Sequence, residues 1–350
     1  MTVEEMLQRW QRIAPLFQGR PGFPADEVNH FDEVIRAEIS PQQIGQTQHI
    51  WIAPRQIYHV LADTLAPSPE TSLFLGLLTG ARLTFKLPSS GLPQFDALAR
   101  GLAERLGEPL ELARQWNQAS WDRADTVVVY GSDRTIAHFQ SLARPWQRLV
   151  AYGHKISAAR VAASDVADPI LAKRAVNDIL MYRQTGCLSP QIHFLPDHAT
   201  ALRWVQLLTR FLQENERELP DPSFEEATII QMARDRCRLA GFPIHYGDRC
   251  RWTVVEIPPE HWFVGPGYGF VQVVVAPDLL SVLEGGRGHW SALGVSSGAW
   301  REVLAHQRAL AQLGFSRFCP IGRMQEPVLS WRHDGGARLA TLGRWLSIEN

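Results

Sequence analysis

Cysteine is scarce in this sequence and widely dispersed. The four residues, Cys187, Cys237, Cys250 and Cys319, form no C-x-x-C pair, which argues against a zinc site and against a disulfide framework. An excess of either charge is missing as well, since 35 basic and 36 acidic residues leave a net charge of −1. Proteins that track a phosphate backbone ordinarily carry a basic excess, so no nucleic acid is expected as a partner. No uninterrupted apolar run reaches the roughly 20 residues that a bilayer-spanning helix needs. No charged-then-apolar leader opens the chain, and the expectation is a soluble, cytoplasmic protein with no membrane span. Internal repeats and low-complexity segments are also absent. The 12 tryptophans are scattered, as core or subunit-interface residues usually are.

What is present is an alternation of helix and strand patterns in a chain of 350 residues, long enough for two ordinary domains. Residues 3–13 show helical spacing, with Met6, Leu7, Trp10 and Ile13 on one side. The Gly/Pro-rich stretch 19–24 then breaks any regular element, and the opening segment is expected to wrap the domain surface. Ser68, Pro69 and Glu70 read as an N-cap, a first-turn proline and an acid at the positive helix end. The helix they begin, residues 71–78, is apolar nearly all round and should be buried against a sheet.

Strand patterns at 81–87, 126–130 and 148–152 alternate with helix patterns at 95–106 and from Ser132 onward. Such spacing predicts parallel crossover units, hence an α/β fold with a doubly wound sheet. Ligands in that architecture bind beyond the carboxyl ends of the strands. An amphipathic stretch at 167–182 and helices at 199–212 and 225–239 follow, then strands at 252–257, 270–276 and 289–295, a helix at 299–313 and a strand at 316–319. The resulting division is a first domain of residues 1–182, a second of 183–319, and a closing segment, 320–350, packing back on the first domain or on a neighbouring subunit.

Cys187 stands out by position. It lies between the amphipathic stretch and the apolar run 192–195, in a segment broken by Gly186 and Pro190, so it should sit on a helix-to-strand loop, where reactive groups are commonly displayed.

Two strand-turn sequences before it, 126–130 followed by Gly131-Ser132-Asp133 and 149–152 followed by Gly153-His154-Lys155, resemble the aldehyde dehydrogenase superfamily. More narrowly, Tyr152-Gly-His-Lys-Ile-Ser157, Gly186-Cys-Leu-Ser-Pro190 and Cys319-Pro-Ile-Gly-Arg-Met324 resemble the fatty acyl-CoA reductase family of bacterial bioluminescence. The resemblance is clearest over residues 73–193 and 315–334. It implies an aldehyde dehydrogenase-like α/β fold, with 1–182 as the nicotinamide-cofactor-binding domain and 183–319 as the catalytic domain carrying Cys187 as nucleophile.

The same resemblance assigns further roles. Gly131 and Ser132 match the turn that approaches the cofactor pyrophosphate, where a helix N-terminus offers free N–H groups. Lys86 matches the lysine on the adenine-side ribose, and Gly153 falls in the same cofactor region. Ser89 and Ser90 stand where NAD-preferring relatives commonly carry a glutamate; without that repulsion, and with Lys86 attractive, NADPH is the expected cofactor. Ala151 replaces the glutamate that activates water in the superfamily, so an acyl-Cys187 would persist for hydride reduction to a fatty aldehyde. His154 and His193 are candidate proton donors. No metal is expected.

Other superfamily positions are blurred. The oxyanion-hole asparagine has no match in residues 61–65, and Trp262 and Phe263 stand near the place of the glutamate on the nicotinamide ribose. Arg323, in the closing motif, suits an acidic group on substrate or partner, or a structural salt bridge. The implied partners are an acyl-CoA or acyl-protein thioester donor and an acyl-activating synthetase, with a homo-oligomeric assembly. Two alternatives stay open: an acyl transferase using Cys187 without hydride chemistry, and a non-catalytic subunit of the family.

Overall fold

Helix formation at the amino terminus starts from a reciprocal cap. Thr2 accepts from the Glu5 backbone N–H while the Glu5 carboxylate takes the Thr2 N–H, and the helix Val3–Phe17 follows. A computed structural model describes residues 1–63 and 68–349. Within it Phe17, Phe23 and Phe31 are fully buried and meet the Phe74 ring at 5.1, 5.4 and 5.1 Å between centroids. The opening segment therefore supplies core to its unit rather than a surface wrap, because three aromatic side chains bury far more surface than a strap would hold. Phe74 belongs to the helix Ser68–Thr79, buried continuously from Ser72 to Thr79. Ser68 lies inside that helix and not ahead of it as a cap.

The first compact unit comprises Met1–His154 together with Val328–Asn350. Its strands in order are β1 (Gln42–Ile44), β2 (Thr47–Ile52), β3 (Gln56–Val60), β4 (Arg82–Lys86), β5 (Leu110–Ala113), β6 (Thr126–Tyr130) and β7 (Arg148–Tyr152). The last five make a parallel sheet in the order β5-β4-β3-β6-β7. The central strands are buried on both faces, which is why β6 reads as an unbroken Val-Val-Val core. The strand order reverses at β3, between β4 and β6, the place where such sheets open a ligand crevice.

The second unit comprises Lys155–Pro327. It holds β8 (Ile156–Arg160), β9 (Pro190–Leu195), β10 (Ile244–Tyr246), β11 (Thr253–Ile257), β12 (Phe270–Val275), β13 (Trp290–Val295) and β14 (Arg317–Pro320). The sheet order is β10-β11-β12-β9-β8-β13-β14, parallel except where β10 joins β11. The helices Pro169–Leu180 and His198–Asn215 pack on one another and, through Trp204, Leu208 and Phe211, on this sheet's core. The units divide after His154, whereas the sequence pattern put the boundary after Tyr182, because β8 pairs with β9 and β13 and belongs to the second sheet. The helix expected over 299–313 is two, Trp300–Ala305 and Gln307–Leu313, with His306 between them.

After residue 327 the chain returns to the first unit. β15 (Arg344–Glu349) pairs antiparallel with β2. Just before it, the Glu38 carboxylate accepts the backbone N–H groups of Arg338, Leu339 and Ala340. Among the described residues no helix is long and apolar enough to cross a membrane, and no group of three His, Cys, Asp or Glu residues could hold a metal ion.

Candidate active site

Lys86, Gly131, Ser132 and Gly153 converge at one edge of the first unit's sheet. Lys86 ends β4, Gly131 and Ser132 follow β6, and Gly153 follows β7; β6 and β7 are neighbours in register, Tyr130 opposite Tyr152. All four thus lie at the carboxyl ends of parallel strands. Ser132 is the N-cap of the helix Asp133–Leu142, accepting from the Thr135 N–H at 3.2 Å. A side chain at Gly131 would place its Cβ 2.8 Å from Thr135 Cβ, so only glycine leaves the approach to this helix end open. Asp133, the first helical residue, turns its carboxylate toward the β7 loop and accepts the His154 backbone N–H at 3.0 Å.

The turn after β4 departs from the expected arrangement in one respect. Ser89 is exposed, but the Ser90 hydroxyl donates to the Asp63 carboxylate at 2.7 Å, so a carboxylate does reach this edge, from the end of β3. A cation that the sequence pattern missed offsets it. Arg114 follows β5, whose Ala113 pairs with Lys86, and its guanidinium lies over Gly91, where an added Cβ would come within 2.8 Å of Nη2. Gly91 has φ +79°, so the turn needs glycine on conformational grounds as well. Of the region searched for the missing asparagine, residues 64 and 65 lie outside the described residues.

Cys187 belongs to the second unit and precedes β9, at the amino end of that strand. It is half-buried. The approach to it is unusual: Tyr182, Arg183 and Gln184 are consecutive non-glycine residues with φ of 51°, 55° and 58°, a conformation that surrounding contacts must impose. Those contacts are present. Arg183 makes a two-pronged ion pair with Glu226 at 3.0 and 2.8 Å, its carbonyl accepts the Tyr268 N–H at 2.9 Å, and buried Gln184 donates to the Pro190 carbonyl at 2.8 Å.

Two further buried side chains grip the loop. Ser157, in β8, donates to the Cys187 carbonyl at 2.7 Å and accepts the Ala292 N–H of β13 at 3.0 Å. Gln325 donates to Ser189 Oγ at 2.8 Å. Neither residue has a signal in the sequence by itself, although both fall in or beside motifs that carry the family resemblance.

The other candidates separate on burial. Cys237 and Cys319 are buried, and burial pushes both thiols up, that of Cys319 to about 11; at neutral pH neither is a nucleophile. His193 is fully buried, accepts the Trp204 indole N–H at 2.9 Å, and is held neutral by burial with its pKa pushed down to about 3. It is a packed core residue and not a proton donor at a surface loop. His154 is exposed and stands with the Gly131–Gly153 cluster in the first unit. Arg323 forms a local ion pair with Glu326 at 3.0 Å.

In the second unit, at the amino ends of β8 and β13, a cavity of about 630 Å³ is lined by Ile156, Trp262, Phe263, Val264, Val282 and His289 among others. Trp262 and Phe263, the residues near the blurred glutamate position, are therefore cavity walls. Ile156 adjoins Ser157, which holds the Cys187 carbonyl.

Residues 111–345 match the family model of the acyl-CoA reductases (LuxC). A long-chain acyl-protein thioester reductase of Aliivibrio fischeri is 23% identical over 313 residues, which cover 83% of this chain and 63% of that protein. The chain thus spans less than two thirds of the length of that curated relative. Among solved structures, the Delta-pyrroline-5-carboxylate dehydrogenase of Mycobacterium tuberculosis bound with NAD aligns with a TM-score of 0.72 at 15% identity, covering 99% of this chain and 79% of that one. Aldehyde dehydrogenase 21 of Physcomitrella patens aligns with a TM-score of 0.69 at 13% identity, covering 99% and 83%. The fold is that of the aldehyde dehydrogenases.

Proposed function

We propose, because this chain belongs to the acyl-CoA reductase (LuxC) family, that it reduces an acyl thioester to an aldehyde with NADPH through an acyl-Cys187 intermediate. The observation that carries the reading is Cys187 itself: half-buried on a loop whose flanks are fixed by buried side chains, while Cys237 and Cys319 are buried thiols and Cys250, also half-buried, lies outside the motifs of the family resemblance. A cysteine thiolate displaces the thiol of a CoA or protein thioester, an exchange of like leaving groups that needs alignment and oxyanion stabilisation more than driving force. The Cys187 backbone N–H is the donor assigned to that oxyanion. Bound NADPH would supply the hydride that converts the acyl group to aldehyde and returns the thiolate.

The residues present suit that cofactor. Gly131 keeps the N-terminus of Asp133–Leu142 approachable for a pyrophosphate, Gly153 adjoins it, and Lys86 with Arg114 favours a 2′-phosphate. Ser89 lies on the same turn. His154 is assigned the delivery of a proton to the intermediate, and Ala151 leaves no carboxylate at that position to activate water. The cavity beside Ile156, walled by Trp262, Phe263, Val264 and Val282 with Glu260, Ser281 and His289 also lining it, is assigned to the acyl chain. An acyl-activating synthetase as thioester source, a homo-oligomeric assembly and a cytoplasmic location complete the reading.

Wild type and Cys187→Ala are incubated with a long-chain acyl-CoA and NADPH, and aldehyde and NADPH oxidation are followed. Loss of a nucleophile should lower turnover by at least about a thousandfold. Aldehyde formation that persists in the alanine variant sinks the mechanism; acyl-CoA consumption without NADPH oxidation assigns acyl transfer instead.

A further inference from the structure

The closing motif, Cys319 to Gln325, has no chemistry of its own, yet it reaches the Cys187 loop. Gln325 is 4% exposed, and its amide Nε2 donates twice: to the Asp178 carbonyl at 3.0 Å and to Ser189 Oγ at 2.8 Å. Ser189 is fully buried, and its own N–H donates to the Gly186 carbonyl at 3.1 Å, closing a turn that contains Cys187. The Ser189 hydroxyl is thus the handle by which anything outside the loop can hold that turn's far end.

We propose that Gln325 is a positioning residue for Cys187, its carboxamide tying the turn Gly186–Ser189 to the helix Pro169–Leu180 so that the nucleophile is held in one attacking geometry. The proposal rests on Cys187 being the nucleophile. Gln325 is itself fixed: the Asp178 carboxylate accepts the backbone N–H groups of Gly322 and Met324, and Met324 is fully buried against β13, where a Cβ at Gly294 would lie 2.5 Å from its Sδ. Asp178, Ser189 and Gln325 are 2%, 0% and 4% exposed, so solvent has little access to the junction, and burial pushes the Asp178 carboxyl up to about 6, against the pull of those N–H groups. In such a place a lost hydrogen bond is not replaced by water. Ser157 holds the Cys187 carbonyl from the other side, so removing Gln325 loosens the Ser189 side chain's hold on the turn while its backbone flanks stay anchored.

The test uses Gln325→Met, which keeps length and removes both donors, Ser189→Ala, which removes one oxygen, and the double variant. Cys187 alkylation by iodoacetamide is read by peptide mass, with Cys250 in the same digest as an internal control, beside kcat and KM for acyl-CoA reduction. Misplacement of a reacting atom should lower kcat by roughly tenfold to a hundredfold in each single variant, with thioester KM within about threefold. The Cys187 alkylation rate should shift by more than about fivefold while that of Cys250 holds, and the double variant should match the worse single one, since both act through one contact. Wild-type alkylation and turnover in the single variants, or effects that multiply in the double variant, overturn the proposal. Should Gln325→Met fail to fold, Ser189→Ala alone decides on the same readouts. The alkylation arm needs neither thioester nor NADPH, so it judges the positioning role even if the wild type proves not to be a reductase.

Discussion

Lys86 and Arg114 sit at the ends of neighbouring strands, and among the described residues neither enters an ion pair, while the Asp63 carboxylate that reaches the same turn is bonded to Ser90. If they read a 2′-phosphate, Arg114→Ala should raise KM for NADPH by roughly tenfold, the worth of one exposed charge-assisted contact, and leave KM for NADH unchanged. Equal effects on both cofactors would remove Arg114 from that role. The strand end at Lys86 was legible in the sequence, an apolar run closing there before a Pro-Ser-Ser-Gly turn, while its proposed cofactor role came from the family resemblance. Arg114 was not, because its place depends on β5, a short Leu-Glu-Leu-Ala strand half-buried throughout, and on a left-handed glycine 23 positions earlier in the chain. His193 misled for the opposite reason: an imidazole in sequence carries no mark of the Trp204 ring that buries it.

Strands and turns differed in how plainly they were written. β6 and β7 were found at their observed bounds, since a short apolar run closed by glycine, Val-rich in β6, has few other readings. β8 was missed: Ile-Ser-Ala-Ala-Arg is buried at every position, so it shows no two-residue alternation, and its Arg160 looks like surface until Glu302 is seen gripping it at 2.9 Å. That omission moved the domain boundary to Tyr182. The turn between β6 and the helix Asp133–Leu142 is the proposed pyrophosphate site, and there the element itself would be the binding device. Gly131→Ala should weaken NADPH binding by about tenfold or more in a fluorescence titration, because the new methyl crowds Thr135 and tilts the helix start. Adding Thr135→Gly removes every atom it meets, the Cβ included, and should restore part of the affinity. Failure of that rescue, or an unchanged Kd in the single variant, would separate this turn from the cofactor.

At the scale of the whole chain, the first unit is completed only by residues that arrive after the second has been built. β15 closes the sheet β1-β2-β15, and Leu329, Leu339 and Leu342 enter the same core as Phe17 and Phe74. The apolar residues of the tail made its return foreseeable; its partner was not, since Glu38, near the end of the helix Phe31–Ile39, reads in sequence as a solvated acid. In the fold it is 8% exposed and accepts three backbone N–H groups from Arg338, Leu339 and Ala340. Such an acceptor cannot be removed cheaply, because each donor is then left in a place water does not reach. Glu38→Ala should cost about 3 kcal/mol in urea unfolding and expose the tail to proteolysis between residues 328 and 343. Glu38→Gln, which retains one acceptor oxygen, should lose about half as much. A tail that stays protected in Glu38→Ala at wild-type urea resistance would mean that β15 pairing and the three leucines hold the segment by themselves, and that the carboxylate is a passenger of the packing rather than its clasp.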